Sequence, residues 1–141
     1  KLGLQEVDDL LNRRSGILGL SGSTSDMKDL LNRAESDAAA RLAVDIYCAR
    51  AAQQAAALAV SLGGVDTLVF SAGVGENAAP VRERIVRRLE FLGAQIDNGR
   101  NARQEPVIST PASRIVIRVM KTDEELMIVR QTAEVVGLQR T

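Results

Sequence analysis

Residues 66–80 constrain the fold most strongly, because they combine a strand pattern, two glycines and the start of a helix. Residues 68–70 form a continuous apolar run, which predicts a central, parallel strand that is covered on both faces. Asn77 is expected to cap the helix that follows, and Pro80 fits its first turn. This order predicts a βα unit.

The turn of this unit carries Gly73 and Gly75 on either side of Val74. Glycine at these positions allows a positive φ, or a ligand approach that a Cβ would prevent. The amides of a helix that begins here would point to the strand end, where a phosphate or ribose can be held. Ala78 stands where the dinucleotide fingerprint has its third glycine, so spacing alone leaves a nucleotide site and a tight βα turn both open.

Composition excludes several classes of partner. The 141 residues suit one domain or a piece of one, and 18 basic residues balance 18 acidic residues. That balance disfavours nucleic-acid and anionic membrane partners, and an aromatic content of 2% removes the platforms on which bases stack. No apolar run has membrane-spanning length, and the first residues do not show the basic-then-apolar pattern expected of a signal sequence.

The chain has no histidine and one cysteine. Ser-His-Asp and Cys-His catalysis and most zinc sites are therefore excluded within it. Cys48 lies on the predicted buried face of a helix and is interpreted as a small apolar filler. A single cysteine excludes an internal disulfide and fits a reducing cytoplasm.

Apolar periodicity predicts most of the helices. A short amphipathic helix is expected over 5–13, a glycine- and hydroxyl-rich loop over 17–25, and a short helix from Asp26 that Ser25 or Thr24 caps. From the residues alone, Asp26 is interpreted as a residue that only stabilises this helix start by capping. The longest helix is expected over 36–62. The helix over 81–92 has a charged face, which favours a solvated surface with ion pairs; one arginine near its start remains able to reach a phosphate. That face comprises Arg82, Glu83, Arg84, Arg87, Arg88 and Glu90.

The last third of the chain predicts short strands over 94–96 and 107–109, a turn over 97–99 and an exposed polar segment over 100–105. A clearer strand covers 114–120. Thr122 and Glu125 then predict a capping box for a final helix. Asp123 and Glu124 would either hold a hydrated Mg²⁺ or favour the helix dipole.

Four motifs carry a family resemblance over nearly the whole chain and in the same order. These segments together resemble acetate kinases, and they match only the C-terminal part of that family's chain. The motifs are Ser15-Gly16-Ile17-Leu18-Gly19-Leu20-Ser21-Gly22 with Ser25-Asp26-Met27-Lys28, Leu68 through Gly73-Val74-Gly75-Glu76-Asn77, Arg82 through Phe91-Leu92-Gly93, and Lys121-Thr122-Asp123-Glu124-Glu125-Leu126.

The resemblance implies a member of the acetate and sugar kinase/heat-shock-70/actin superfamily. The expected fold is an α/β, ribonuclease H-like (actin-like ATPase) C-terminal domain, in part, with a mixed sheet and flanking helices. Residues 1–141 would be a nucleotide-binding fragment whose upstream catalytic domain is absent. The implied reaction is reversible phosphoryl transfer from ATP to acetate, which gives acetyl phosphate and ADP, by a cytoplasmic homodimer.

The resemblance also assigns residues. The segment Asp26, Met27 and Lys28 would contact the adenosine of ATP, and Glu124 would be associated with Mg²⁺. The family has Arg where this chain has Lys28, and Asn where it has Asp123. No catalytic residue is expected within the chain, because the family's phosphate loop, carboxylate-binding arginines and histidine lie upstream. The nucleotide pocket would comprise Gly73, Val74, Gly75, Glu76 and Asn77.

Two alternatives remain beside a fragment that binds nucleotide weakly and does not catalyse. The piece could be a non-catalytic assembly domain, which the alanine-rich helix over 37–62 favours. The parent protein could instead be a propionate or butyrate kinase, because the acyl pocket of the family is built mostly upstream.

Overall fold

Helices and two short strands follow one another in the computed structural model, which describes residues 2–137 apart from the side chain of Glu124. In chain order the elements are α1 (Leu4–Asn12), α2 (Gly16–Ser21), α3 (Met27–Arg33), α4 (Ala38–Ser61), β1 (Thr67–Phe70), α5 (Ala72–Asn77), α6 (Ala79–Arg87), a 3₁₀ turn (Glu90–Leu92), α7 (Asn98–Ala102), β2 (Val116–Val119) and α8 (Glu124–Val135).

The sheet is mixed, as predicted. β1 and β2 are parallel, with Thr67 opposite Val116 and Phe70 opposite Val119. Two antiparallel bridges extend it, from Val107 to Arg118 and from Ile96 to Ser109. The expected strands over 94–96 and 107–109 are therefore single bridges rather than full strands. The chain thus has an α/β fold with helices around a small sheet.

The prediction that β1 is central and covered on both faces is wrong. Within residues 2–137, β1 pairs only with β2, and Val69 is 46% exposed whereas Phe70 is buried. A continuous apolar run cannot show whether a second layer is present, because packing elsewhere in the molecule decides it. β1 is covered on one face.

The core is built around α4. Asp37 caps this helix by accepting hydrogen bonds from the backbone N–H groups of Ala39 and Ala40. Small buried side chains, including Ala43 and Ala52, allow close packing against α2, α3 and α6. Cys48 is fully buried in this core, as expected, with its Sγ 3.9 Å from the carbonyl oxygen of Val81.

Three helices were not predicted. The expected glycine turn at Gly73 and Gly75 lies within α5. The expected loop over 17–25 contains α2, which ends at Gly22 with a φ of 68°. The expected turn over 97–99 instead begins α7, since the Asp97 carboxylate accepts the N–H of Arg100 at 3.0 Å. An aspartate at an N-cap stabilises a helix, and here it prevails over the Asn-Gly turn signal.

The final helix begins differently from the predicted capping box. Asp123 is its N-cap, and the Asp123 carboxylate accepts the N–H of Leu126 at 2.8 Å. Thr122 makes its hydrogen bonds with Glu76 instead. None of the helices in the described ranges has the combination of length and apolar composition needed to cross a membrane.

Candidate functional site

A cleft of about 760 Å³ separates α3 from the α5–α6 turn. It brings together two motifs that α4 and β1 separate in the sequence. Six of the eight residues assigned to nucleotide by resemblance line this cleft: Asp26, Met27, Lys28, Gly73, Val74 and Asn77. The remaining lining residues are Leu31, Asn32, Ala78, Pro80 and Gln104.

The first wall is the start of α3. Asp26, rather than Ser25 or Thr24, is the N-cap, and its Oδ1 accepts the N–H of Asp29 at 3.0 Å. Thr24 Oγ1 accepts the N–H of Asp26, also at 3.0 Å. Within the described residues no hydrogen bond reaches Asp26 Oδ2, so this oxygen is available to a ligand while the cap stays formed.

The second wall is α5. Neither Gly73 nor Gly75 has a positive φ. Of the two roles expected for these glycines, a left-handed backbone is therefore not observed. A Cβ on Gly73 would meet nothing within 4 Å, whereas one on Gly75 would lie 3.2 Å from the carbonyl carbon of Phe70. Gly73 therefore keeps the cleft open, and Gly75 allows α5 to pack on the end of β1.

Asn77 was predicted to cap the next helix. Its side chain instead forms a hydrogen bond within α5. Its Nδ2 donates to the carbonyl oxygen of Gly73 at 2.9 Å. Ala78 precedes α6 without a side-chain cap, and Pro80 occupies the first turn as expected. Asn77 thus lines the cleft with an amide whose orientation is fixed by its own helix.

Glu76 and Gly75 are the assigned residues that do not line the cleft. Glu76 Oε1 accepts hydrogen bonds from the N–H of Ala72 at 2.9 Å, the N–H of Thr122 at 2.8 Å and the hydroxyl of Thr122 at 3.1 Å. The bond from the Thr122 N–H is the main cause that lowers the pKa of the Glu76 carboxyl. Glu76 is a bridge between two turns.

Arg82 was predicted on a solvated face, and this prediction is wrong. Arg82 is fully buried, and its Nη1 donates to the carbonyl oxygens of Gly75 at 2.9 Å and Glu76 at 2.8 Å. Nε and Nη2 donate to the side-chain and main-chain oxygens of Asn101, at 2.8 and 2.9 Å. Burial lowers the pKa of Arg82. These bonds fasten α5 to α7.

A sequence signal for Arg82 did exist. Arg82 shares the i, i+3, i+4, i+7 spacing with Ile85, Val86 and Leu89, which are buried. Asn101, predicted in an exposed polar segment, is buried as well, and its Nδ2 donates to the carbonyl oxygen of Ala79 at 2.9 Å. The charge of Arg82 concealed its place on the apolar face.

Gln104 is a cleft residue that no sequence signal indicated. It follows α7, lines the cleft, and has a φ of 55°. Left-handed backbone is uncommon for residues other than glycine, asparagine, aspartate and histidine. Because α7 is fastened to α6 through Arg82 and Asn101, Gln104 is held at the cleft by buried hydrogen bonds.

A metal site is not formed by the described side chains alone. Among them, no three or more carboxylate, cysteine or histidine groups lie close enough together to hold an ion. The expected magnesium residue, Glu124, is the first residue of α8, and its side chain lies outside the described part of the chain.

Comparisons with known proteins converge on one family. The model of the acetokinase family matches residues 1–130. The acetate kinase of Carboxydothermus hydrogenoformans is 45% identical over 138 residues, which are 96% of this chain and 34% of that protein. The acetate kinase of Rhizobium meliloti is 46% identical over 133 residues, 94% of this chain and 33% of that protein. The chain spans about a third of the length of these relatives.

Solved structures agree. The acetate kinase of Porphyromonas gingivalis superposes with a TM-score of 0.87 at 36% identity, over 96% of this chain and 35% of its own. The acetate kinase of Entamoeba histolytica gives 0.88 at 33% identity, over 95% and 37%. A propionate kinase from Francisella tularensis subsp. tularensis SCHU S4 gives 0.86 at 37% identity, over 92% and 34%.

Proposed function

Because this chain belongs to the acetokinase family, we propose that it supplies part of the nucleotide site of a kinase that transfers a phosphoryl group reversibly from ATP to acetate. The products are acetyl phosphate and ADP. The observation that carries this proposal is the cleft in which Asp26, Met27 and Lys28 meet Gly73, Val74 and Asn77. The ribonuclease H-like assignment of the fold is part of the same proposal.

The cleft suits an adenosine. Met27, Leu31 and Val74 provide apolar surface for the faces of a purine, and Asp26 Oδ2 is available to accept hydrogen bonds from ribose hydroxyls. The open space at Gly73 admits the ligand close to the backbone. Phosphoryl transfer depends mainly on positioning and charge stabilisation, so a rigid adenosine site contributes directly to the reaction.

Lys28 and Asp123 are expected to modify the site. A lysine ammonium cannot reproduce the planar, bidentate contacts of the arginine that the family has there, so we expect a weaker contact with adenosine. Asp123 uses Oδ1 to cap α8 and adds a negative charge beside Glu124.

Mg²⁺ is commonly held by one or two carboxylates together with substrate phosphates. Glu124 with a bound nucleotide is therefore a sufficient donor set. The ion would neutralise phosphate charge.

Catalysis is assigned to the remainder of the parent protein. The chain has no histidine and spans about a third of its relatives, and the resemblance places the catalytic groups upstream. We therefore expect the chain by itself to bind nucleotide weakly and to form no acetyl phosphate above background. A propionate kinase among the structural neighbours keeps propionate as an alternative acceptor.

A second role, assembly with another copy of the chain, is favoured by apolar side chains at the end of α4. Leu58, Val60 and Leu62 are 63%, 82% and 77% exposed. Val60 and Phe91 both line a groove of about 420 Å³, and Phe91 is exposed too. Exposed apolar clusters of this kind commonly mark protein interfaces.

The nucleotide proposal is tested by calorimetric titration of the chain with Mg-ADP. Gly73→Leu would fill the open space of the cleft without straining the backbone, because Gly73 has a negative φ. We expect binding about tenfold weaker or more, equivalent to ~1.4 kcal/mol. Ala57→Leu, on the exposed face of α4, is the matched control and should bind as the original chain does. Equal binding by Gly73→Leu, or none by the unaltered chain, would refute the proposal.

A further inference from the structure

Glu76 connects the two turns that lie at the same edge of the sheet. β1 and β2 are parallel, so their C-terminal ends lie side by side. β1 leads into α5, which forms one wall of the cleft, and β2 leads through Thr122 into α8. Two hydrogen bonds from Thr122 to Glu76 Oε1 join these two segments across the edge, and the same oxygen accepts the N–H of Ala72 at the start of α5.

The bridge uses the carboxylate that the family resemblance would give to the nucleotide. Glu76 does not line the cleft, and neither does Thr122. The donors on Oε1 favour the ionised carboxylate, and they lower the pKa of Glu76 accordingly. A charged acceptor makes stronger hydrogen bonds than a neutral one, so the bridge is at full strength at neutral pH.

The bridge also supports an uncommon backbone conformation in the cleft wall. Ala72, the residue before Gly73, has a φ of 58°. An alanine rarely adopts this conformation unless surrounding interactions hold it there. The N–H of Ala72 donates to Glu76 Oε1 at 2.9 Å. The conformation next to Gly73 and the position of Thr122 therefore depend on one carboxylate.

We propose that Glu76 is a positioning residue that couples occupancy of the cleft to the first turn of α8, rather than a residue that contacts the nucleotide. The proposal rests on the proposed function, since the occupant is the adenosine nucleotide. A ligand seated against Gly73 favours the conformation of Ala72 that Glu76 holds, and Glu76 in turn fixes Thr122. Residue Glu124 follows Thr122 by two positions, so the coupling orients the segment assigned to the cation.

A double-mutant cycle between Glu76 and Thr122 tests this inference, with ADP without metal as the ligand of the full 141-residue chain. Thr122→Val removes only the hydroxyl donor, and Glu76→Ala removes the acceptor. If Glu76 acts through Thr122, Thr122→Val weakens ADP binding in the original chain but not in the Glu76→Ala chain. Independent, additive effects of the two substitutions would overturn the proposal.

An NMR titration of the ¹⁵N-labelled chain supplies a readout that simple destabilisation would not move. In the original chain, ADP should shift the amide signals of Gly73 and of residues 122–126. In Glu76→Ala the shift at Gly73 should persist while the shifts over 122–126 disappear, and Glu76→Gln, which keeps an acceptor oxygen, should restore part of them. Thr110→Val, which removes a hydroxyl bonded to Gln95, is the matched control for Thr122→Val in the binding measurements. Persistent shifts over 122–126 in Glu76→Ala would contradict the coupling.

Amide hydrogen exchange separates failure of this inference from failure of the proposed function. If ADP does not bind the chain, the nucleotide proposal fails, but the bridge is still measurable without ligand. Glu76→Ala should then accelerate exchange of the Ala72 and Thr122 amides about tenfold or more. Unchanged exchange at both amides would show that the bridge does not hold either turn, and would overturn the inference whatever ADP does.

Discussion

Arg82 is the residue on which the geometry around the cleft depends most. It is a fully buried cation whose recorded partners are oxygens of Gly75, Glu76 and Asn101, and it has no carboxylate partner within residues 2–137. Burying a charge is costly unless it is well hydrogen-bonded. The four bonds of Arg82 offset that cost and join α5, α6 and α7.

Arg82→Met is expected to lower the free energy of unfolding by about 3 kcal/mol or more, because it removes the donors to the part-buried carbonyl oxygens of Gly75 and Glu76 and to the buried Oδ1 of Asn101. Urea unfolding followed by circular dichroism measures the change. Arg88→Met, at an exposed arginine that directly follows α6, should change stability by only about 0.5 kcal/mol. A loss for Arg82→Met as small as that of the control would mean that water replaces the guanidinium.

The sequence motifs predict which residues line the cleft better than they predict what each side chain does there. The two segments that meet were identified from the sequence, and Asp26 and Gly73 both line the cleft. The bridging role of Glu76 was not predictable, since its partner Thr122 is 46 positions away. Gln104 was not predictable because its place depends on buried bonds of α7.

Aspartate caps determine where several helices begin. Asp26, Asp37, Asp97 and Asp123 each accept a backbone N–H at the start of α3, α4, α7 and α8. These bonds satisfy donors that have no partner inside the helix. Among them, Asp37 and Asp97 have a lowered pKa, caused first by the N–H of Ala40 and of Arg100 respectively.

The lowered pKa of Asp37 makes part of the stability dependent on pH. A carboxyl with a lower pKa in the folded state contributes its full stabilisation above its unfolded pKa of about 4, and loses it as pH falls through the folded value. Unfolding free energy should therefore decrease between about pH 5 and pH 2. In Asp37→Asn, which keeps an acceptor for the cap, that decrease should be smaller.

Urea titrations at pH 7 and pH 3 measure this difference. Glu35→Gln is the control, because Glu35 is an exposed carboxylate just before the start of α4. The explanation fails if Asp37→Asn and the original chain lose equal stability on acidification.

The predictable elements are those that local chemistry specifies. The long helix was predicted over 36–62 and observed as Ala38–Ser61, and the strand over 114–120 contains β2 with Ile115 and Ile117 buried. α2, α5 and α7 were missed because each is only five or six residues long, and glycines or an Asn-Gly pair dominate their patterns. Short helices depend on caps and tertiary packing more than on periodicity.

The fold of the chain leaves apolar side chains of several helices exposed. No buried residue is found in α1, and α8 exposes Met127, Ile128 and Val129. With the exposed end of α4, three separate regions present apolar side chains to solvent. A chain that spans a third of its relatives would have such faces where other parts of the family's chain, or a second copy, pack.

Sedimentation velocity over a range of concentrations tests the assembly role. We expect reversible association that increases with concentration, because burial of apolar side chains stabilises contact between copies. Val60→Lys should shift the equilibrium towards the monomer, whereas Gln54→Lys, at an exposed position earlier in α4, should not. A monomer at every concentration would remove the assembly role at this surface.

The buried thiol of Cys48 allows transient opening of the folded chain to be measured. Cys48 is the sole cysteine and is inaccessible in the core. Burial also raises the pKa of its thiol. The thiolate is the reactive form, so an alkylating reagent can modify the folded chain only while α4 and α6 are transiently separated. Because no other thiol competes, the modification rate relative to that of the unfolded chain gives the free energy of that separation directly, without an introduced label.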